Sequence, residues 1–314
     1  MRRPTAEAAA ARGRDTGLGF GRGNPFYWRG TGCADQIGWL AKEAPPAANV
    51  TDRFEALNAK AFAGGDVLPA NANDFVYLCI GGIFSDRVPS AYYLKENMAA
   101  LSGAGLDVRR IQIDSLVGVA TNAKVVRDAV MAAASGGKKV VLIGHSKGGL
   151  DSAAAIAMYP EVAAVTHALI TMQSPYAGSP VAQDIADDPL QKNVTMFLLE
   201  GLIRGNRDMA RDLTYSQRRE FLAKHPLPKD LNIVSLATTD SDWFSLNRVP
   251  NDYMRLRYRK RSDGLVVPDD AFLPNSRYAL ISGLDHLSTT CPSAQRWKYR
   301  PASITLSLVA IALS

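Results

Sequence analysis

Residues 138–158 constrain the fold of this chain more than any other segment. Lys138 and Lys139 lead into Val140, Val141, Leu142 and Ile143, a short β-branched run that reads as a buried strand. Gly144-His145-Ser146-Lys147-Gly148-Gly149 follows, and then Leu150, Ala153, Ala154, Ile156, Ala157 and Met158 recur at helical spacing until Pro160. A strand that turns this sharply into a helix holds the residue at its apex in a strained, exposed conformation. Glycines flank the apex because a side chain there would meet the adjacent strand or helix. The pattern predicts Ser146 at the apex, with its hydroxyl raised as a nucleophile. An inert serine on an ordinary strand-turn-helix is the alternative. The same stretch lacks the Gly-x4-Gly-Lys-Ser/Thr spacing of a phosphate-binding loop.

From Phe75 onward, strand and helix patterns alternate. Strands are expected at 75–80, 108–113, 140–143, 168–172, 233–237, 253–258 and 278–281, and helices at 92–101, 122–134 and 147–158. Strands separated by helices of this length imply an α/β architecture with a mostly parallel central sheet covered on both faces. Active sites in such sheets lie at the carboxyl ends of the strands, where Ser146 falls. Residues 71–314 are read as this domain and residues 1–70 as an N-terminal extension, partly disordered or packed on the core. The extension is punctuated by Gly17, Gly19, Gly21, Gly23 and Pro45-Pro46, with aromatics at Phe26, Tyr27, Trp28 and Trp39.

Composition narrows the classes. Hydrophobic residues make up 47% of the 314, enough for a substantial core. The apolar run 304–313 is too short to span a bilayer, so it is expected to be a final core helix. Cys33, Cys79 and Cys291 lie far apart without ligand spacing, which points to a reducing, intracellular compartment and a soluble protein. Arg2, Arg3, Arg12, Arg14 and Arg22 give the N-terminus a weak likeness to an organelle transit peptide, plastid type included, with a basic tail as the alternative. The net charge of +6 is too scattered for nucleic acid but favours transient contact with an anionic membrane surface. Oligomeric state is not legible.

A serine hydroxyl needs a base, and four histidines are available. His145 sits inside the turn and is expected to point away from the Ser146 oxygen. His167 belongs at the wrong end of the sheet, and His225 lies in a Pro-rich stretch. His286 follows the last strand on a carboxyl-end loop and remains. The base needs a carboxylate to fix its tautomer. Asp263, in a turn of Ser262-Asp263-Gly264-Leu265-Val266, is the first candidate, with Asp240 and Asp242 as fallback, whereas Asp269, Asp270 and Asp285 read as solvated loop acids. Backbone N–H groups of Lys147 and Ile83, the latter after Gly81-Gly82, are expected to stabilise a tetrahedral oxyanion, with Phe84 as the alternative to Ile83.

Several stretches together resemble the α/β hydrolases of the triacylglycerol-lipase kind. They are Gly81-Gly82-Ile83-Phe84-Ser85-Asp86, Gly144 to Asp151, Ser174-Pro175-Tyr176-Ala177-Gly178-Ser179, Ser262 to Val266, and Asp285-His286. The resemblance covers residue 74 to the C-terminus and departs at Gly81-Gly82, where such lipases usually carry His-Gly. It implies the α/β-hydrolase fold and a serine esterase or lipase acting on acyl esters, lipid esters foremost. It also implies a triad of Ser146, Asp263 and His286, with no cofactor and no metal. Acyl transfer or thioester cleavage by the same triad, and a non-catalytic ligand-binding protein on the same fold, are the rival readings.

Two further features remain. The long connection between the strands at 168–172 and 233–237 predicts a helical lid insertion at about 176–230, with the apolar 194–203 as its closing segment or, alternatively, a buried packing helix, and the charged 204–219 solvated. Arg255, Arg257, Arg259 and Arg261 alternate and are expected to share one strand face. Lys147 and Asp151 are spaced for an i,i+4 pair.

Overall fold

The computed structural model describes residues 32–87, 92–187, 207–240, 248–292 and 298–314. Among these residues, seven strands form one all-parallel sheet. They are β1 (Ala48–Asn49), β2 (Phe75–Ile80), β3 (Asp107–Arg110), β4 (Lys139–His145), β5 (Thr166–Met172), β6 (Asn232–Thr239) and β7 (Arg277–Ser282). Their spatial order is β1-β7-β6-β5-β4-β2-β3. The chain leaves β2 on one side for β3 and returns on the other for β4. The loops after β2 and β4 therefore diverge and open a crevice at the carboxyl ends.

The inner strands β2, β4, β5 and β6 are buried on both faces, which is why they read as continuous apolar runs. Val76, Leu78, Ile80, Val140, Leu142 and Leu169 point to one core, beneath α4 (Val119–Ala134) and α5 (Lys147–Met158). Tyr77, Cys79, Val141, Ile143, Ala168 and Ile170 point to the other. That second core is covered by α2 (Thr51–Phe62), α3 (Lys95–Gly103) and α12 (Pro301–Ala312). Each Leu or Ile fully buried this way contributes roughly 1.5–3 kcal/mol. The C-terminal apolar run is the core helix expected of it, with Ile304, Leu308, Val309 and Ile311 buried. Among the described residues, no helix is long and apolar enough to cross a membrane.

The described part of the N-terminal extension is built into the body. α1 (Trp39–Glu43) packs near the short α11 (Pro268–Ala271), and the Trp39 indole N–H donates to the Ala177 carbonyl at 2.8 Å. β1 then pairs with β7, Ala48 opposite Arg277 and Asn49 opposite Tyr278. Phe26, Tyr27 and Trp28 lie outside the described residues.

Residues 253–258 are not a strand. They end a helix, α10 (Arg248–Tyr258). Tyr253 with Arg257 and Met254 with Tyr258 are i,i+4 pairs, and this face is the buried one. The alternation of arginines hid the longer period. Arg257 is buried on Asp184, while Arg255 and Arg259 are exposed, so the arginines do not share a face.

Among the described residues between β5 and β6 are α7 (Pro180–Asp187), α8 (Arg207–Asp212) and α9 (Tyr215–Lys224). The proposed closing segment 194–203 lies outside the described residues. Within the stretch expected to be solvated, Arg218 is buried, its Nε–H donating to the Tyr176 carbonyl at 2.9 Å.

Candidate active site

Ser146 joins β4 to α5 with φ 54 and ψ −129. A non-glycine residue held there costs on the order of 1–3 kcal/mol, and the surroundings must over-determine it. They do so from both sides. The Ser146 N–H donates to the Met172 carbonyl at 2.9 Å, and the Ser146 carbonyl accepts from Gly149 N–H at 3.0 Å. The turn is tight enough that a Cβ on Gly144 would stand 2.5 Å from the Gly149 Cα.

The three side chains singled out from the sequence meet at the carboxyl edge. His286 Nε2 lies 2.9 Å from Ser146 Oγ, and His286 Nδ1 lies 2.8 Å from Asp263 Oδ2. The other carboxylate oxygen, Asp263 Oδ1, accepts Leu265 N–H at 2.9 Å and Val266 N–H at 2.8 Å. An acceptor held this way keeps a proton on His286 Nδ1 and leaves Nε2 open to the serine proton. All three groups are largely withdrawn from water, with Ser146 at 8%, His286 at 3% and Asp263 at 1% exposure. Asp263 arrives after helix α10 rather than after a strand. Its loop is tied to the end of β6 by Asp240 N–H donating to the Ser262 carbonyl at 2.8 Å, and to the last loop by His286 N–H donating to the Asp263 carbonyl at 2.9 Å. Asp240 thus meets the site through its backbone, and Asp242 lies outside the described residues.

The loop after β2 runs alongside. Gly82 is pressed against the serine, since a Cβ there would stand 2.6 Å from Ser146 Cβ. Its N–H donates to Tyr93 Oη at 3.0 Å. Phe84 N–H donates to Ser115 Oγ at 2.9 Å, and Ser115 in turn donates to Asp86. Phe84 is therefore engaged, and the intervening Ile83 N–H has no acceptor among the described residues. The Lys147 N–H, first in α5, has none either, as helix geometry dictates for a first turn. These are the two N–H groups expected from the sequence, and both are without an acceptor among the described residues.

Beneath the turn, the Lys147 side chain folds into the interior. Nζ lies 2.9 Å from Asp151 Oδ1 and 3.0 Å from Oδ2, both side chains being fully buried. Asn122 Nδ2 donates to Asp151 at 2.9 Å. Burial pushes the Asp151 carboxyl up, and the Lys147 ammonium and Asn122 amide act against that.

Other titratable groups depart from their sequence reading. Asp285 is buried, with Oδ1 accepting Leu287 N–H at 3.0 Å and Ser288 N–H at 2.9 Å, so it shapes the His286 loop. Asp270 is buried too, between Gly38 N–H and the Tyr215 hydroxyl, and burial pushes it up to about 7. Only Asp269 keeps the exposed place expected of it. Both His145 ring nitrogens bond to groups other than Ser146 Oγ, and the residue is not idle. It is wholly buried against Tyr93, Gln173 and the His286 carbonyl. Neither Tyr93 nor Gln173 carried a sequence signal, although Gln173 holds φ 51 directly after β5. Among the described residues, no group of three or more His, Cys, Asp or Glu is arranged to hold a metal ion.

Residues 112–259 match a family model described as a PGAP1-like alpha/beta domain. That stretch holds Ser146 and ends before Asp263 and His286. No curated protein matches the chain in sequence. Solved structures do match in shape. A carboxyl esterase of metagenomic origin superposes with TM-score 0.69 at 21% identity, covering 86% of this chain and 93% of its own. The mature form of a Bacillus licheniformis lipase gives TM-score 0.59 at 20% identity, covering 70% and 87%. A Staphylococcus hyicus lipase gives 0.55 at 12%, covering 76% and 94%. The chain thus has the α/β-hydrolase fold, and its residues 112–259 are similar to a PGAP1-like alpha/beta domain.

Proposed function

We propose that this protein is a serine ester hydrolase acting on acyl esters, lipid esters among them. The observation that carries the reading is the unbroken hydrogen-bond line from Ser146 Oγ through His286 to Asp263. In this mechanism, Ser146 Oγ attacks the ester carbonyl carbon while His286 Nε2 takes its proton. Asp263 holds the imidazole in the acceptor tautomer and stabilises the imidazolium. The N–H groups of Ile83 and Lys147 receive the oxyanion. The intermediate then collapses, His286 protonates the departing alcohol, and an acyl group remains on Ser146. Water, deprotonated by His286, releases the acid by the same route in reverse. The fold shared with a carboxyl esterase and two lipases is consistent with this chemistry and sets no acyl length.

The test is hydrolysis of p-nitrophenyl esters of increasing acyl length by wild type and Ser146→Ala, with labelling by a fluorophosphonate probe alongside. Ser146→Ala should lower kcat on the order of 10⁶-fold and abolish labelling. An unchanged rate in that variant would rule the mechanism out.

A further inference from the structure

The proposed chemistry needs two separate loops in register, the one after β2 that carries Ile83 and the one after β7 that carries His286. A line of buried groups joins them. We propose that Tyr93 and His145 are positioning residues that lock these two loops together, through Gly82 N–H to Tyr93, Tyr93 O–H to His145 Nδ1, and His145 Nε2–H to the His286 carbonyl. The inference rests on the ester-hydrolase reading.

The direction of every proton in the line follows from donor counting. Gly82 N–H can only donate, so the Tyr93 oxygen accepts it at 3.0 Å. Thr290 is a further side-chain partner of that hydroxyl, and the single Tyr93 proton goes to His145 Nδ1 because a proton on Nδ1 would leave Nε2 bare against two acceptors, the His286 carbonyl and Gln173 Oε1. His145 must therefore carry its own proton on Nε2, which lies 2.8 Å from the His286 carbonyl oxygen, an obligate acceptor. Only one tautomer satisfies all three contacts. Burial, with the neighbouring His286 second, pushes His145 down to about 3, so the imidazole stays neutral and the pattern does not scramble near neutral pH.

The line is reinforced at the His286 end. Gln173 Oε1 accepts from the Thr289 hydroxyl at 2.6 Å, and its amide donates to the Asp285 carbonyl at 2.9 Å and to Thr238. Next to Tyr93, Leu94 N–H donates to the Thr290 carbonyl at 2.9 Å. Tyr93 at 3% exposure and His145 at none have no solvent to replace a lost partner. Losing one partner therefore frees a loop instead of exchanging a contact for water.

The experiment compares wild type, Tyr93→Phe, His145→Asn and the double variant. Tyr77→Phe is the control, because the Tyr77 hydroxyl is equally buried and donates to the Ala72 carbonyl at the far end of β2. Tyr93→Phe should lower kcat about 10- to 100-fold with KM within about twofold, and weaken a boronic acid transition-state analogue by the same factor. The double variant should be no worse than the poorer single, because both break one line. Tyr77→Phe should lower the unfolding midpoint and leave kcat alone. An unchanged kcat in Tyr93→Phe, an equal loss in Tyr77→Phe, or losses that multiply would overturn the proposal. Where a variant does not fold, nitrogen NMR of wild type decides. It should show His145 protonated on Nε2 and bare on Nδ1 from about pH 5 to pH 9, and the opposite tautomer would refute the line. If wild type fails to take the fluorophosphonate on Ser146, the ester-hydrolase reading falls and this inference with it. If it labels and the Tyr93 result is negative, only the inference falls.

Discussion

Single atoms decide the approach to the serine. Gly82 lies so close that a methyl group would stand 2.6 Å from Ser146 Cβ and 3.1 Å from the His145 carbonyl oxygen, and Ser146 is held by its backbone hydrogen bonds and His145 by those of its ring. Gly82→Ala should therefore push the β2 loop and the serine apart, lowering kcat by about 10²-fold or more with a smaller effect on the unfolding midpoint. Steady-state kinetics beside thermal unfolding would separate the two. A variant with native kcat would show that the loop yields freely. The triad residues were legible in the sequence because each has a local signature: a glycine-flanked serine, an Asp-Gly turn, and a histidine after the last strand. Tyr93, Gln173 and Ser115 were not, because their roles arise from partners far along the chain. Asp270 and Asp285 misled for the same reason, since burial is a property of what packs above an acid.

At the scale of an element, α5 carries a conflict within its first turn. A lysine at the first helical position faces the positive end of the helix dipole, and here the ammonium is also fully buried. Asp151, one turn on, offsets both. Removing the acid alone leaves a buried uncompensated cation, so Asp151→Ala should cost about 3–5 kcal/mol in urea unfolding. Lys147→Met combined with Asp151→Leu should restore much of that. A loss in Asp151→Ala below about 1 kcal/mol would mean that the lysine escapes to water. The i,i+4 spacing made this pair visible in advance. In α10 the same spacing was present but hidden, because alternating arginines imitate a strand and only burial tells which of two periods governs.

For the whole molecule, two buried groups pull the pH dependence of stability in opposite directions. His145 is held near 3, below its ordinary 6.5, so the unfolded chain binds its proton first. Its contribution is present above about pH 6.5 and lost as pH falls toward 3. Asp270 is pushed from 3.8 up to about 7, so the native state holds the proton, and its contribution is present at low pH and lost as pH rises toward 7. Asp270→Asn should remove the second effect and leave stability rising more steeply between about pH 4 and pH 6.5. Denaturant titrations at several pH values would show it, and parallel curves for the two proteins would count against it. The sheet and its helices on both faces were readable from alternating periods. The place of residues 32–62 was not, because a two-residue strand has too few positions to show a pattern.

That short strand has a consequence of its own. Ala48 and Asn49 occupy the outer side of β7, the strand whose end launches the His286 loop. A chain begun at residue 71 would bare a row of unpaired amides and carbonyls there, a ready template for another copy. With β1 in place, the outermost strand on that side is only two residues long, which offers another copy little backbone to pair with beside the loop that carries the imidazole.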